Sequence, residues 1–200
     1  MYVFHGRDEI ELPEPLSVVA ASLAIAFGFD GIRLLNIIAR PLGYSAGVLV
    51  GALIGFLVHE YAHKYAAVRE SCMARFTLSK RGMLITLLSG ILVSVGIPFA
   101  ILAPGYVRIA FCWGAPREEN IAIAGPLSNI VLSFVAIIGA RSMTNYRLVY
   151  LLTGFADINA WFALFNLLPL YPLDGSKIFS KNIAAWLLLF ILAVYLALAA

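Results

Sequence analysis

The stretch Gly55–Ala67 reads GFLVHEYAHKYAA, and three of its residues are at odds with the others. His59, Glu60 and His63 stand in an apolar run of the kind that forms a membrane-spanning helix. Ionisable groups inside such a run are costly and mark functional sites. On a helix, His59 and His63 fall on one face a turn apart, where two imidazoles can grip one ion. Glu60 is rotated about 100° from His59, so it can stand beside that ion and take a proton from water without being a ligand. Zinc, borderline-soft and redox-inert, suits nitrogen and oxygen donors of this kind.

Composition agrees with a membrane setting. Of 200 residues, 62% are hydrophobic and 12% charged, and the mean hydropathy is +0.93. A soluble domain carries about 25% charged residues, so this chain has too little polar surface to coat a body in water. The expectation is an all-α polytopic protein of the cell membrane, a multi-pass bundle forming one domain over residues 1–200. A net charge of +3 without basic runs argues against nucleic acid as a partner. The N-terminal MYVFHGRDEIELPEP carries acidic residues rather than a basic opening, so no signal-peptide cleavage is expected. Cys72 and Cys112 lack CxxC spacing and read as two ordinary thiols.

Length and breaks at charge, proline and glycine mark about six spans. They are Leu16–Ala39, Ala46–Val68, Leu84–Ala103, Ile121–Ala140, Leu148–Leu168 and Ile183–Ala199. Two connections, Cys72–Ser79 and Tyr106–Trp113, read as short β-strand segments at the membrane interface, because open strand edges cannot face lipid. With six spans, one side collects Arg7, Lys64, Arg69, Arg75, Lys80, Arg81, Arg141 and Arg147. The other holds Arg33, Arg40, Arg108, Arg117, Lys177 and Lys181. That split gives a mild bias to cytoplasmic termini.

A catalytic zinc site wants three protein ligands and one open position. Outside the motif, the acids at apolar depth are Asp30, Asp157 and Asp174. Asp174 stands out in NLLPLYPLDGSK (Asn166–Lys177), where Pro169 and Pro172 break the fifth helix and Gly175 frees the backbone. A broken helix is tolerated in a membrane when it lines a polar cavity.

Together these segments resemble the site-2 proteases, the intramembrane zinc metalloproteases of the M50 class. The family pairs HExxH with a downstream NxxPxxxLDG, here His59–His63 and then Asn166, Pro169, Leu173, Asp174 and Gly175. Between them AGPLSN (Ala124–Asn129) is similar to the family's GPxxN segment, while Ser176 stands where many members have a second glycine. The resemblance implies one zinc ion held by His59, His63 and Asp174, with Glu60 as general base. It also implies that Asn166, and less directly Asn129, places substrate or supports the oxyanion. The substrate would be a membrane-spanning protein within the bilayer, cut by zinc-activated water, and unwound so that an extended segment can pair with an edge of one strand stretch. The length leaves no room for a PDZ insert or CBS region, as in a minimal prokaryotic, archaeal-type member. Nothing in the sequence sets the oligomeric state.

Two other readings stand beside it. A prenyl-protein protease takes a glutamate as third ligand, which the LDG setting does not supply. A metal-binding membrane transporter, or a catalytically silent membrane zinc protein, would spread ligands along a pathway with internal repeats. Several residues have structural readings. Asn159 and Asp157 either line a route to the metal or bond between helices. Asp30 and Arg33 pair near a membrane face, Gly125–Pro126 kinks its span, Arg141 and Arg147 anchor at an interface, and His5 is solvated.

Overall fold

The computed structural model describes residues 8–97 and 100–199; His5 and Arg7 lie outside them. The described chain is mostly helical, with one small sheet. Helix α1 (Glu14–Asp30) starts where Pro15 supplies a fixed φ in its first turn. It continues as a 3-10 turn over Gly31–Ile37. Helix α2 (Tyr44–Arg69) returns antiparallel to it, and α4 (Glu118–Ser142) and α5 (Tyr146–Asn166) form a second antiparallel pair. Glu118 and Glu119 open α4, where carboxylates favour the positive end of a helix. These four segments are long and apolar enough to cross a membrane. Their outward faces are apolar: Ile54, Leu57 and Tyr61 on α2, and Val131, Phe134, Val135 and Ile138 on α4, are exposed. In water such faces would associate.

The expected third span comes out differently, while the sixth keeps its bounds as a shorter helix. Helix α7 (Ile183–Ala199) has 17 residues and is shorter than the other four. It starts near the end of α5, where Trp186 Nε1 donates to Leu167 O at 2.7 Å. Residues 84–103 do not form a continuous span. Helix α3 (Lys80–Ser94) is capped by Ser79 Oγ, which accepts from Gly82 N, and stops before Gly96 at φ +90°. Residues 100–104 then return beside it, with Ile101 N donating to Ser89 Oγ at 3.0 Å and Ala103 N to Thr86 Oγ1 at 3.2 Å. Both ends meet at the sheet, because Ser79 N donates to Pro104 O at 3.0 Å. The segment thus enters and leaves on one side. Two hydroxyls on α3 satisfy two N–H groups of the returning segment, the kind of partner irregular backbone needs at apolar depth.

The sheet comprises β1 (Glu9–Ile10), β2 (Cys72–Ser79) and β3 (Gly105–Cys112), antiparallel in the order β1-β2-β3. Both strand expectations are met, and β2 lies in the middle with a bulge at Met73/Ala74. Beyond the two residues of β1, Phe76 N donates to Glu14 Oε1 at 3.1 Å, so a carboxylate covers that stretch of the β2 edge. The outer edge of β3 pairs with no strand among the described residues.

The reading of Cys72 and Cys112 as separate thiols is corrected. They are bonded as a disulfide at the end of the β2–β3 ladder, directly opposite in register with Cα atoms 4.0 Å apart. The pairing follows from strand register across a 40-residue separation, which no local spacing announces.

Helix α2 sits at the centre, against α1, α4 and α5. Its close approach to α5 follows a four-residue stripe. A Cβ at Gly47 or Gly51 would overlap the α5 backbone at Leu151 or the Ile158 side chain, and one at Gly55 the Asn159 amide. Small residues at such spacing let helices touch backbone to backbone. Continued by four, the stripe reaches His59 and then His63. Phe56, Phe76 and Phe162 pack edge-on below, with centroids 5.2 and 5.8 Å apart, and join the sheet to the bundle.

Candidate metal centre

His59 and His63 lie in the second half of α2, about 15 and 9 Å along the helix from Arg69 at 1.5 Å per residue. They are only 3% and 4% exposed. Each ring is held from behind. His63 Nδ1 lies 2.7 Å from Ile121 O, and His59 Nδ1 lies 2.6 Å from Asn129 Oδ1. Both contacts come from α4, where Ile121, Gly125 and Asn129 follow one another at four-residue spacing. One face of α4 therefore matches the face of α2 that carries the histidines.

Asp174 arrives from the other side as the first residue of helix α6 (Asp174–Lys181). Helix α5 ends at Asn166, and the proline-containing turn after it carries Asp174 back to the pair. The two Nε2 atoms are 3.0 Å apart, with Asp174 Oδ2 at 3.0 Å from His63 and 3.5 Å from His59. With both Nδ1 atoms facing acceptors, the convergent atoms present lone pairs to one another. Such a trio needs a positive charge between its members, a proton or a metal ion. Donors roughly 2.0–2.1 Å from a tetrahedral zinc ion lie about 3.3–3.4 Å apart, close to the spacing here. Gly125 completes the fit, because a Cβ there would collide with both Nε2 atoms. The residues fit zinc.

Glu60 is 5% exposed, and its Oε2 has no hydrogen-bond partner among the described residues. It borders a cavity of about 990 Å³ together with His59, His63 and Asp174. The same cavity touches Tyr106, Val107 and Ile109 of β3, the returning segment 100–105, and Asn166. A buried carboxylate with one oxygen unpartnered among the described residues, on a cavity that holds the donor trio, is placed to exchange protons with water.

The remaining sequence candidates separate. Asn166 lines the cavity, half-buried, and uses one amide hydrogen on Phe162 O at 3.0 Å. Asn129 is fully buried behind His59, off the cavity. Asn159 bonds between helices, donating to Gly51 O of α2, and Asp157 accepts from Tyr44 at 2.7 Å. Asp30 pairs with Arg33 at 3.4 Å. Neither Asp30 nor Asp157 approaches the trio, the one such group of three among the described residues. Pro126 lies within a continuous α4. Sequence reasoning missed Gly125 as part of the cradle; its signal was the spacing from Gly125 to Asn129, which equals that from His59 to His63.

No family model matches the chain, and no solved structure matches it. It is similar to a protein of Methanocaldococcus jannaschii named "putative zinc metalloprotease", with 35% identity over 102 residues. The match covers 50% of this chain and 53% of that protein, so the chain spans about half the length of the curated relative it matches.

Proposed function

We propose that this chain is an intramembrane zinc metalloprotease of the site-2 type, hydrolysing peptide bonds in membrane-spanning proteins. One observation carries the reading: a convergent His59–His63–Asp174 trio beside Glu60, whose Oε2 has no hydrogen-bond partner among the described residues, in a cavity that β3 also lines. The similarity to a protein named as a zinc metalloprotease supports the same chemistry.

His59, His63 and Asp174 would hold the ion. When bound, zinc supplies Lewis acidity, bringing the pKa of water toward about 7 and polarising a carbonyl. Glu60 takes the proton from the attacking water and passes it to the departing amine. A C–O bond forms as the C–N bond breaks, and the enzyme is never acylated. The substrate helix has to open locally, since its carbonyls are tied in hydrogen bonds. The free edge of β3 then offers a ladder on which an extended segment can lie beside the trio. Asn166, on the wall of that cavity, has a second amide hydrogen to direct at substrate.

The test is purified protein in detergent, assayed for bound metal and for cleavage of a membrane-spanning substrate with and without a chelator. Glu60→Gln should retain zinc and lose about 10²–10⁴ in kcat. Zinc-free protein, or cleavage indifferent to chelator, would sink the proposal. Full cleavage by Glu60→Gln would remove the general base.

A further inference from the structure

Two amides lie behind His59, away from the cavity. Asn129 is 0% exposed and Asn159 1%. Their orientation follows from the end where there is no choice. One terminal atom of Asn159 lies 2.8 Å from Phe155 O and 3.3 Å from Gly51 O. Both neighbours are backbone carbonyls, which only accept, so that atom is the amide nitrogen. Asn159 Oδ1 therefore faces Asn129, and the atom it meets at 2.8 Å must be a donor, Asn129 Nδ2. That nitrogen also donates to Gly55 O at 3.3 Å. Asn129 Oδ1 is left facing His59 Nδ1 at 2.6 Å. An acceptor there requires the hydrogen on Nδ1, and Nε2 keeps its lone pair.

We infer that Asn129 and Asn159 are positioning residues: a hydrogen-bond chain anchored on the carbonyls of Gly51 and Phe155 that fixes His59 as its Nδ1–H tautomer, with Nε2 free for the metal. The inference rests on the metal reading above. His63 reaches the same state by another means, because its Nδ1 faces a backbone carbonyl, Ile121 O, which cannot turn over. The His59 ring thus depends on two side chains and the His63 ring on none, so His63 serves as an internal control.

The protein has three histidines, so nitrogen-15 labelling of histidine gives a readable spectrum. In metal-free protein in detergent, His59 and His63 should both carry the hydrogen on Nδ1. Asn129→Leu and Asn159→Leu should move His59 toward the Nε2–H form and leave His63 unchanged. Partners in this position are typically worth about 10–100-fold in metal affinity, and zinc titration against a chromophoric chelator should show a loss of that order in both variants. Asn159→Asp in its neutral form can still accept from Asn129 and donate to one carbonyl, so it should restore the Nδ1–H form. Wild-type His59 with its hydrogen on Nε2 overturns the inference, and does so even if both leucine variants fail to fold. So does an unchanged His59 tautomer in folded leucine variants, while zinc binding in that case leaves the metal reading standing. The expected tautomer in a protein that binds no zinc overturns the metal reading, and with it the purpose assigned to the amides.

Discussion

Gly125 contributes no side chain, and the trio exists because of that. It sits within α4, and a methyl there would meet both Nε2 atoms. Alanine is a better helix former than glycine by about 1 kcal/mol, which offsets part of the about 1–3 kcal/mol that displacing the packed rings costs, so Gly125→Ala should still fold. It should lose zinc, seen as a loss of bound metal while the metal-free protein still melts cooperatively. A variant that keeps its zinc would show that the ion does not lie between these rings and α4. At this scale much of the site was legible in the sequence. His59, Glu60, His63 and Asp174 announce themselves as polar groups in apolar surroundings. Gly125 and Asn129 do not, because their meaning lies in a contact with residues more than sixty positions away. Asn129 was expected near the substrate, yet it stands behind a histidine, since a motif fixes residue type and leaves open which way a helix face turns.

Among the elements, β3 and the junction of α2 with α4 allow separate tests. Proline at Val107 or Ile109 removes a backbone donor from the strand that borders the cavity. One hydrogen bond is worth about 0.5–1.5 kcal/mol, so kcat/KM for a membrane-spanning substrate should fall roughly 2–10-fold with zinc content intact; unchanged cleavage would argue against the edge as the docking place. Glu70, just past α2, accepts from Arg117 N at 3.0 Å and Asn120 Nδ2 at 2.8 Å and so ties α2 to the start of α4. The Arg117 N–H, and then the Asn120 amide, hold its carboxyl below the usual glutamate range. A depressed folded pKa means stabilisation that is present above the unfolded value and lost as pH falls through the folded one. Glu70→Ala should therefore melt below wild type at neutral pH, with the gap closing under acid; a gap independent of pH would exclude the carboxylate. Element boundaries came through well for α2, α4 and α5, where apolar runs end at charge or proline. The third span failed because hydropathy measures only how apolar a segment is, and Leu84–Ala103 is apolar in both of its limbs. The turn at Gly96 and the hydroxyls of Ser89 and Thr86 decide between crossing and returning.

Across the whole molecule, that return redistributes the charge. With residues 80–104 entering and leaving on one side, Lys64, Arg69, Arg75, Lys80, Arg81, Arg108, Arg117, Lys177 and Lys181 gather at the sheet end. Arg33, Arg40, Arg141 and Arg147 are left at the other. The eight-to-six split expected for six spans becomes a clear excess, and the positive-inside rule then predicts that the sheet end faces the cytoplasm. A cysteine introduced at Arg75 should resist an impermeant thiol reagent in intact cells and react once the membrane is opened; labelling in intact cells would reverse the orientation. The disulfide lies at this same end, so that orientation would make it one of the less common bonds that persist in a reducing compartment.

That bond also brackets the excursion that carries α3 and the return. A cut anywhere between Cys72 and Cys112 would leave the two fragments covalently joined, and electrophoresis would show the break only after reductant. His59 and His63 precede the bracket, while Gly125 and Asp174 follow it. A molecule nicked at the exposed bend near Val95 would thus keep both halves of its metal cradle in one covalent unit.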